Sequence, residues 1–188
     1  MINETSIKEV KIIEPRVFKD ERGSFNEVFS VRELKKNGIE FNPVQENCAF
    51  SVKKGTIRGI HFQNEPYAQA KLVRCTKGVV NDYAIDLRKK SPTYLKYVCV
   101  ELSEENKKQL FIPKGFAHAV INLVDNSEIE YLVDNLYEPT CDRSINPCDE
   151  TLNIEWGFSE LVLSEKDKNA PSLIDSDCNF VYDNNINK

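Results

Sequence analysis

Apolar and polar residues alternate along most of this chain with the two-residue period of half-buried strands. Val, Ile, Phe and Tyr dominate the apolar positions, which predicts strands at about 46–53, 56–63, 70–76, 78–87, 94–102, 109–112, 117–124 and 127–134. Upstream, "SIKEVKIIEPRVF" reads as one edge-like opening strand ending near Pro15, and "GSFNEVFS" alternates Phe25, Glu27 and Phe29 on one face. "SVRELKKNG" (30–38) changes to helical spacing, with a Ser cap in front and a Gly stop behind. "SEENKK" (103–108) reads as a capped turn of helix, and "TKG" and "PKGF" read as turns. "SEKDKNAPSL" reads as a loop or helix laid over the strands, and "YDNNINK" as a frayed end. Roughly ten short strands with little helix between them predict one all-β antiparallel domain over 1–188, with a jelly-roll barrel or sandwich as its architecture.

Composition narrows the partners. The net charge of −5 offers no general basic field for nucleic acid or an anionic membrane, although a local basic cluster can still hold a small anion. The opening "MINETSIKEV" has no apolar leader core and no apolar run reaches membrane-spanning length, so the cytoplasm is the expected compartment. The cysteines at 48, 75, 99, 141, 148 and 178 form no CxxC and no dense framework. Cys75 and Cys99 fall inside predicted strands as small hydrophobes, so the set reads as free thiols.

The candidate chemistry lies in polar residues where strands should carry oil. "RGIHFQ" (58–63) holds one of only two histidines. Strict alternation puts Ile57, Gly59, His61 and Gln63 on one face, and Arg58, Ile60 and Phe62 on the other. The same rule groups Lys71, Val73 and Cys75 opposite Leu72 and Arg74. It also groups Asp82 with Ala84 and Asp86, Phe116 with His118, Val120 and Asn122, and Ile129 with Tyr131 and Val133. Buried charges are costly unless paired, so strands that repeatedly offer Arg, His, Lys, Asp and Tyr suit a cavity lining better than a packed core. Taken singly, each has a blander reading. His61 is then an ordinary strand histidine, His118 a turn cap, Tyr131 an amphipathic tyrosine and Asp167 part of a solvated charge run, while Lys71 and Arg74 snorkel to solvent. A metal site is disfavoured, because His61 and His118 have no HxH or HxxxH spacing and no Cys pair can substitute. No glycine-rich phosphate loop or GxSxG elbow occurs.

Over about residues 8–170 the chain resembles the dTDP-4-dehydrorhamnose 3,5-epimerase family. The resemblance rests on "DERGSFNEVF", "VQEN", "GTIRGIHFQ", "AQAKLVRCTKG", "DLRKKSPTY", "LSEENKKQLFIPKGFAH", "IEYLVDNLYEP", "IEW" and "LSEKDKNAP". It implies a cupin-type jelly roll, a homodimer, and a site with no metal and no cofactor. The implied substrate is a nucleoside diphosphate 4-keto-6-deoxysugar inverted at C3 and C5. By the same resemblance His61 matches the base, Asp167 its carboxylate partner, Lys71 the cation near the C4 oxygen, and Tyr131 the acid on the opposite ring face. Asp82 occupies the position of a carboxylate near this cluster. Arg22 and Arg58 match diphosphate contacts, with Arg22 acting across the dimer interface, and Tyr137 matches the aromatic that stacks on the base. Glu27, Gln45, Asn47, His118, Asp142 and Lys166 fall on further substrate-binding positions. The chain departs from the family pattern at Ala119, Leu132, Gly157, "SINPCDE" and the Glu of "QEN". A 3- or 5-monoepimerase, an epimerase of another nucleotide sugar, and a non-enzymatic sugar-binding module are the alternatives.

Overall fold

A computed structural model describes residues 1–183. In chain order its elements begin with β1 Ile2–Glu4, β2 Lys11–Ile13, β3 Val17–Asp20, β4 Gly23–Asn26 and α1 Val31–Lys36. The central strands follow as β5 Gln45–Ser51, β6 Ile57–Gln63, β7 Lys71–Lys77, β8 Val79–Asp86, β9 Tyr97–Ser103, β10 Gln109–Ile112, β11 Phe116–Asn122 and β12 Ser127–Val133. β13 Asp142–Ser144 and α2 Glu165–Lys168 complete the set. The eight central strands fall where the alternation places them.

One sheet runs β1-β2-β10-β7-β12-β5 and the other β13-β6-β11-β8-β9, every pairing antiparallel. Counting β5 as the first of the eight central strands, the first pairs with the eighth, then the third and sixth, while the second pairs with the seventh, fourth and fifth. That is jelly-roll order. The two sheets stay open and stack as a sandwich rather than closing into a barrel. Three apolar layers result. Val73, Leu110 and Ile129 from one sheet meet Val80, Val98, Leu102 and Phe116 from the other in the interior. The outer face of the five-stranded sheet is covered through Ile60, Phe62, Tyr83, Ile85, Trp156 and Phe180. Leu34, Ile39 and Phe41 close over Leu72 and Phe111 on the other outer face. The interior layer fills only part of the space between the sheets, and the site lies in the remainder.

Several local expectations change. The opening segment is not one strand. Thr5 Oγ1 donates to the carbonyls of Ile7 and Val10 and accepts from the Ile7 amide, which folds residues 5–10 into a turn and pairs β1 back on β2. β4 ends at Asn26, before Glu27. Residues 103–108 form a turn, because Ser103 and Asn106 side chains take the amides that a helix would use. At the C-terminus the Tyr182 amide donates to the Lys89 carbonyl at 2.9 Å, so the chain is paired there; the rest of the "frayed" stretch, beyond Asp183, lies outside the described residues.

The most consequential change is in β6. His118 of β11 faces His61 and Val120 faces Arg58, so two steps on β11 oppose three on β6. This β-bulge breaks the alternation. Ile60 and Phe62 keep the outer face, but Arg58 turns to the same side as His61. Gly59 makes the bulge possible. Its φ is +145°, and a Cβ there would lie 2.5 Å from Ala119 Cβ and 2.7 Å from its Cα. Gly59→Ala is expected to destabilise the fold by roughly 3 kcal/mol, from overpacking and the disfavoured dihedral together. A thermal melt checks this; an unchanged melting temperature would show that β11 yields instead.

Candidate active site

A cavity of about 500 Å³ opens between the sheets, lined by Arg58, His61, His118, Tyr131, Ser164 and Asp167 among apolar Ala49, Val120, Ile129, Val162 and Leu163. His61 comes from the five-stranded sheet and Tyr131 from the six-stranded one, so imidazole and phenol face the cavity from opposite walls.

The His61 wall is built by a short cap. Ser164 precedes α2, its Oγ accepting from the Asp167 amide at 3.1 Å and donating to Asp167 Oδ2 at 2.8 Å. The other carboxylate oxygen, Oδ1, lies 2.6 Å from His61 Nε2. Asp167 is therefore buried, not part of a solvated charge run. Burial pushes its carboxyl pKa up, but the His61 hydrogen bond and charge, the Ser164 hydroxyl and Lys166 outweigh that and hold it below the ordinary value. The strap that carries Asp167 is itself fixed, since Val162 exchanges backbone bonds with Gly55 and Ile57 beside β6.

Lys71 stands beside the Tyr131 ring, outside the set of residues that line the cavity. Lys71 Nζ sits 5.5 Å from the Tyr131 ring centroid and donates to Gln69 Oε1 at 3.0 Å. Lys71 is buried and does not snorkel; desolvation lowers its pKa to about 8 against the pull of Asp142, Asp134 and Asp82. Burial raises the Tyr131 phenol, with Arg58 opposing and Asp142 adding, so it stays protonated at neutral pH. His118 is a mid-strand residue rather than a turn cap. Its ring meets the Tyr131 ring edge-on at 6.1 Å, and its Nε2 lies 2.6 Å from Asp82 Oδ1. Arg74 points to the other side of β7, paired with Glu130.

Of the further candidates Arg58 lines the cavity, whereas Gln45, Asn47, Tyr137, Asp142 and Lys166 do not. Arg58 Nε donates to Ser51 Oγ at 3.0 Å and its NH2 to the Phe50 carbonyl at 2.8 Å, which fixes the guanidinium at the rim. Asp142 accepts from Lys166 at 2.7 Å and from the exposed Tyr137 hydroxyl at 3.3 Å. Gln45 holds Asn47 at 2.8 Å and accepts from the Tyr137 amide at 3.1 Å, and Asn47 lies across from Tyr131. The structure does not bring Arg22 or Glu27 to this cavity. Arg22 is at the exposed tip of the β3–β4 hairpin, bonded to Asp20, and Glu27 lines a separate hollow with Phe18, Phe25 and Phe29. The sequence reading also misses Ser164, Gln69 and Gln63, whose amide secures the Tyr137 loop through the Leu136 carbonyl and the Glu138 amide. Ser164 had a readable signal in the Ser-x-x-Asp cap, and Gln63 one in sharing the His61 face by alternation. Among the described residues, Cys48, Glu128 and Glu130 bring candidate metal-ligating atoms within 4.8 Å of one another, and none of the three lines the cavity.

The family model for dTDP-4-dehydrorhamnose 3,5-epimerase matches residues 4–175. The chain belongs to the dTDP-4-dehydrorhamnose 3,5-epimerase family. The curated dTDP-4-dehydrorhamnose 3,5-epimerase of Sinorhizobium fredii is 47% identical over 178 residues, covering 94% of this chain and 91% of that protein. Among solved structures, the dTDP-6-deoxy-D-glucose-3,5-epimerase of Legionella pneumophila in complex with dTDP-4-keto-L-rhamnose superposes with a TM-score of 0.91 at 40% identity, covering 97% of this chain and 98% of that one. The dTDP-4-dehydrorhamnose 3,5-epimerase of Bacillus anthracis with TDP and pyrophosphate bound gives 0.90 at 39% identity, covering 92% and 99%. As a member of this epimerase family the chain is an enzyme.

Proposed function

We propose that the chain converts dTDP-4-dehydro-6-deoxy-D-glucose to dTDP-4-dehydro-L-rhamnose by inverting C3 and C5. The observation that carries this reading is the placement of His61 and Tyr131 on opposing sheets across one cavity, with Lys71 beside the phenol. Hydrogens on C3 and C5 are both α to the C4 ketone. His61, steadied by Asp167, takes the proton as the C–H electron pair moves into the ketone, giving an enolate. The Lys71 ammonium stabilises the oxygen charge. Tyr131 then protonates the carbon from the other face, and solvent restores the phenol and the neutral imidazole before the second carbon reacts. Two groups on two faces invert a centre; one group would return the starting isomer.

Arg58, and Lys166 with Tyr137 and Asn47, suit the diphosphate and base at the mouth, a guanidinium matching phosphate oxygens by its fork. Arg22 serves the partner's cavity in a homodimer, consistent with its position on an exposed arm away from its own site. Sedimentation of the active enzyme tests this, and an active monomer would exclude it. The rhamnose-pathway role is cytoplasmic, and no helix among the described residues is long and apolar enough to cross a membrane.

The direct test is NMR of the 4-keto sugar nucleotide with enzyme in D2O, coupled to a reductase that consumes the product. Deuterium is expected at both C3 and C5, with a rate unaffected by prior dialysis against a chelator. Label at one carbon alone would make the protein a monoepimerase. Activity stripped by chelator and restored by zinc or iron would overturn the acid–base scheme.

A further inference from the structure

One buried carboxylate has no part in that scheme. Asp82 is 0% exposed, on the inner face of β8. Its Oδ1 meets His118 Nε2, while Oδ2 has no hydrogen-bond partner among the described residues. A bare oxygen on an enclosed carboxylate is costly unless nearby cations compensate it. The groups facing Asp82 are His118 from β11 and Lys71 from β7, with the buried Cys75 thiol, pushed up to about 11 and so neutral, on β7 as well. The groups facing Lys71 are Asp82, Asp142 and Asp134, with the Tyr131 ring and the Gln69 amide.

The three carboxylates around Lys71 are not equivalent. Asp142 is already neutralised by Lys166 at 2.7 Å, and Asp134 by Lys114 at 3.3 Å. Asp82 is bonded only to an imidazole. It is thus the carboxylate whose charge is least claimed by another lysine or arginine.

We propose that Asp82 is a positioning residue for the epimerisation: kept ionised, it fixes His118 through an Nε2–H donor and is the buried counter-charge that keeps Lys71 protonated beside the sugar. This rests on the catalytic reading above. Burial raises Asp82 against the opposing pull of His118 and Lys71, and lowers Lys71 to about 8 against that of its carboxylates, so each charge depends on its neighbours. Removing the negative charge leaves Lys71 with less support, and its proton departs at a lower pH. His118 loses its acceptor at the same time.

The test is Asp82→Asn, which keeps shape and removes charge. In the inversion assay the alkaline limb of the kcat profile is expected to move down by roughly one pH unit, so that the loss is about eightfold near pH 8.5, approaches tenfold above it and is smaller near pH 6.5. Affinity for dTDP, set at the mouth, should stay within about threefold, less than half a power of ten. An unshifted limb, whether kcat is unchanged or reduced equally at every pH, would overturn the proposal and leave Asp82 a structural role. A second measurement needs no variant. The chain has only two histidines, so 15N labelling of histidine resolves His118 in the intact enzyme. A proton on Nε2 near pH 7.5 is expected; a bare Nε2 would mean that Asp82 carries the proton and no charge, and would overturn the proposal even if the Asn variant failed to fold. Lack of inversion by the unmutated enzyme would instead strike the catalytic reading itself.

Discussion

Tyr131→Phe is expected to separate exchange from inversion. The substitution keeps the ring that packs against His118 and Lys71 and removes only the O–H. His61 and Asp167 remain paired at 2.6 Å on the other wall, so proton abstraction continues. The enolate then has one proton source, the imidazolium that made it. In D2O that group exchanges with solvent and returns deuterium to the face it came from. The sugar should gain label with retained configuration, while net inversion falls by about 10²–10⁴-fold, the usual worth of a placed general acid. Proton NMR of the recovered sugar nucleotide reads both quantities together. Inversion within tenfold of the unmutated enzyme would show that another group, or water, protonates the Tyr131 face.

His61→Ala should remove both. Without the imidazole no enolate forms, so label uptake and inversion are expected to fall together by about 10³–10⁴-fold. The variant also strands Asp167, buried and left with Ser164 as its side-chain donor, so the melting temperature should drop at neutral pH as well. Asp167→Asn separates the two consequences. It retains the imidazole but removes the carboxylate that fixes the ring and stabilises its protonated form, so an intermediate loss of about 10²-fold is expected with exchange and inversion still moving together. If His61→Ala retained exchange at C3 or C5, the base would have to be sought elsewhere, and His118 is the other imidazole in the cavity. The contrast with Tyr131→Phe is the sharper result, since a general loss of folding or binding cannot produce label without inversion.

Much of the molecule was legible before the fold. Period-two patterning located the eight central strands because each buries one face, and side chains on successive residues must then differ. The anomaly of His61 inside such a strand was visible for the same reason, as was Tyr131 on the inward face of its own. The resemblance supplied roles, and the structure brings His61, Tyr131, Lys71 and Asp167 into one neighbourhood while leaving Arg22 and Glu27 outside it.

What failed was adjacency. Alternation placed Arg58 opposite His61, because a bulge at Gly59 is a property of two strands in register, not of one. Asp167 looked solvated, because its partner is 106 residues away and its burial depends on where the strap beside Gly55 and Ile57 is laid. The Asp82–His118 pair spans 36 residues with no spacing rule to announce it. The sequence alone determined which residue types stand on which strands and which faces must be apolar, since those follow from local geometry and hydrophobicity. Only the tertiary structure decided which carboxylate meets which imidazole and which walls face each other, because those contacts come from strand order, register and one inserted residue, none of which leaves a local periodic trace.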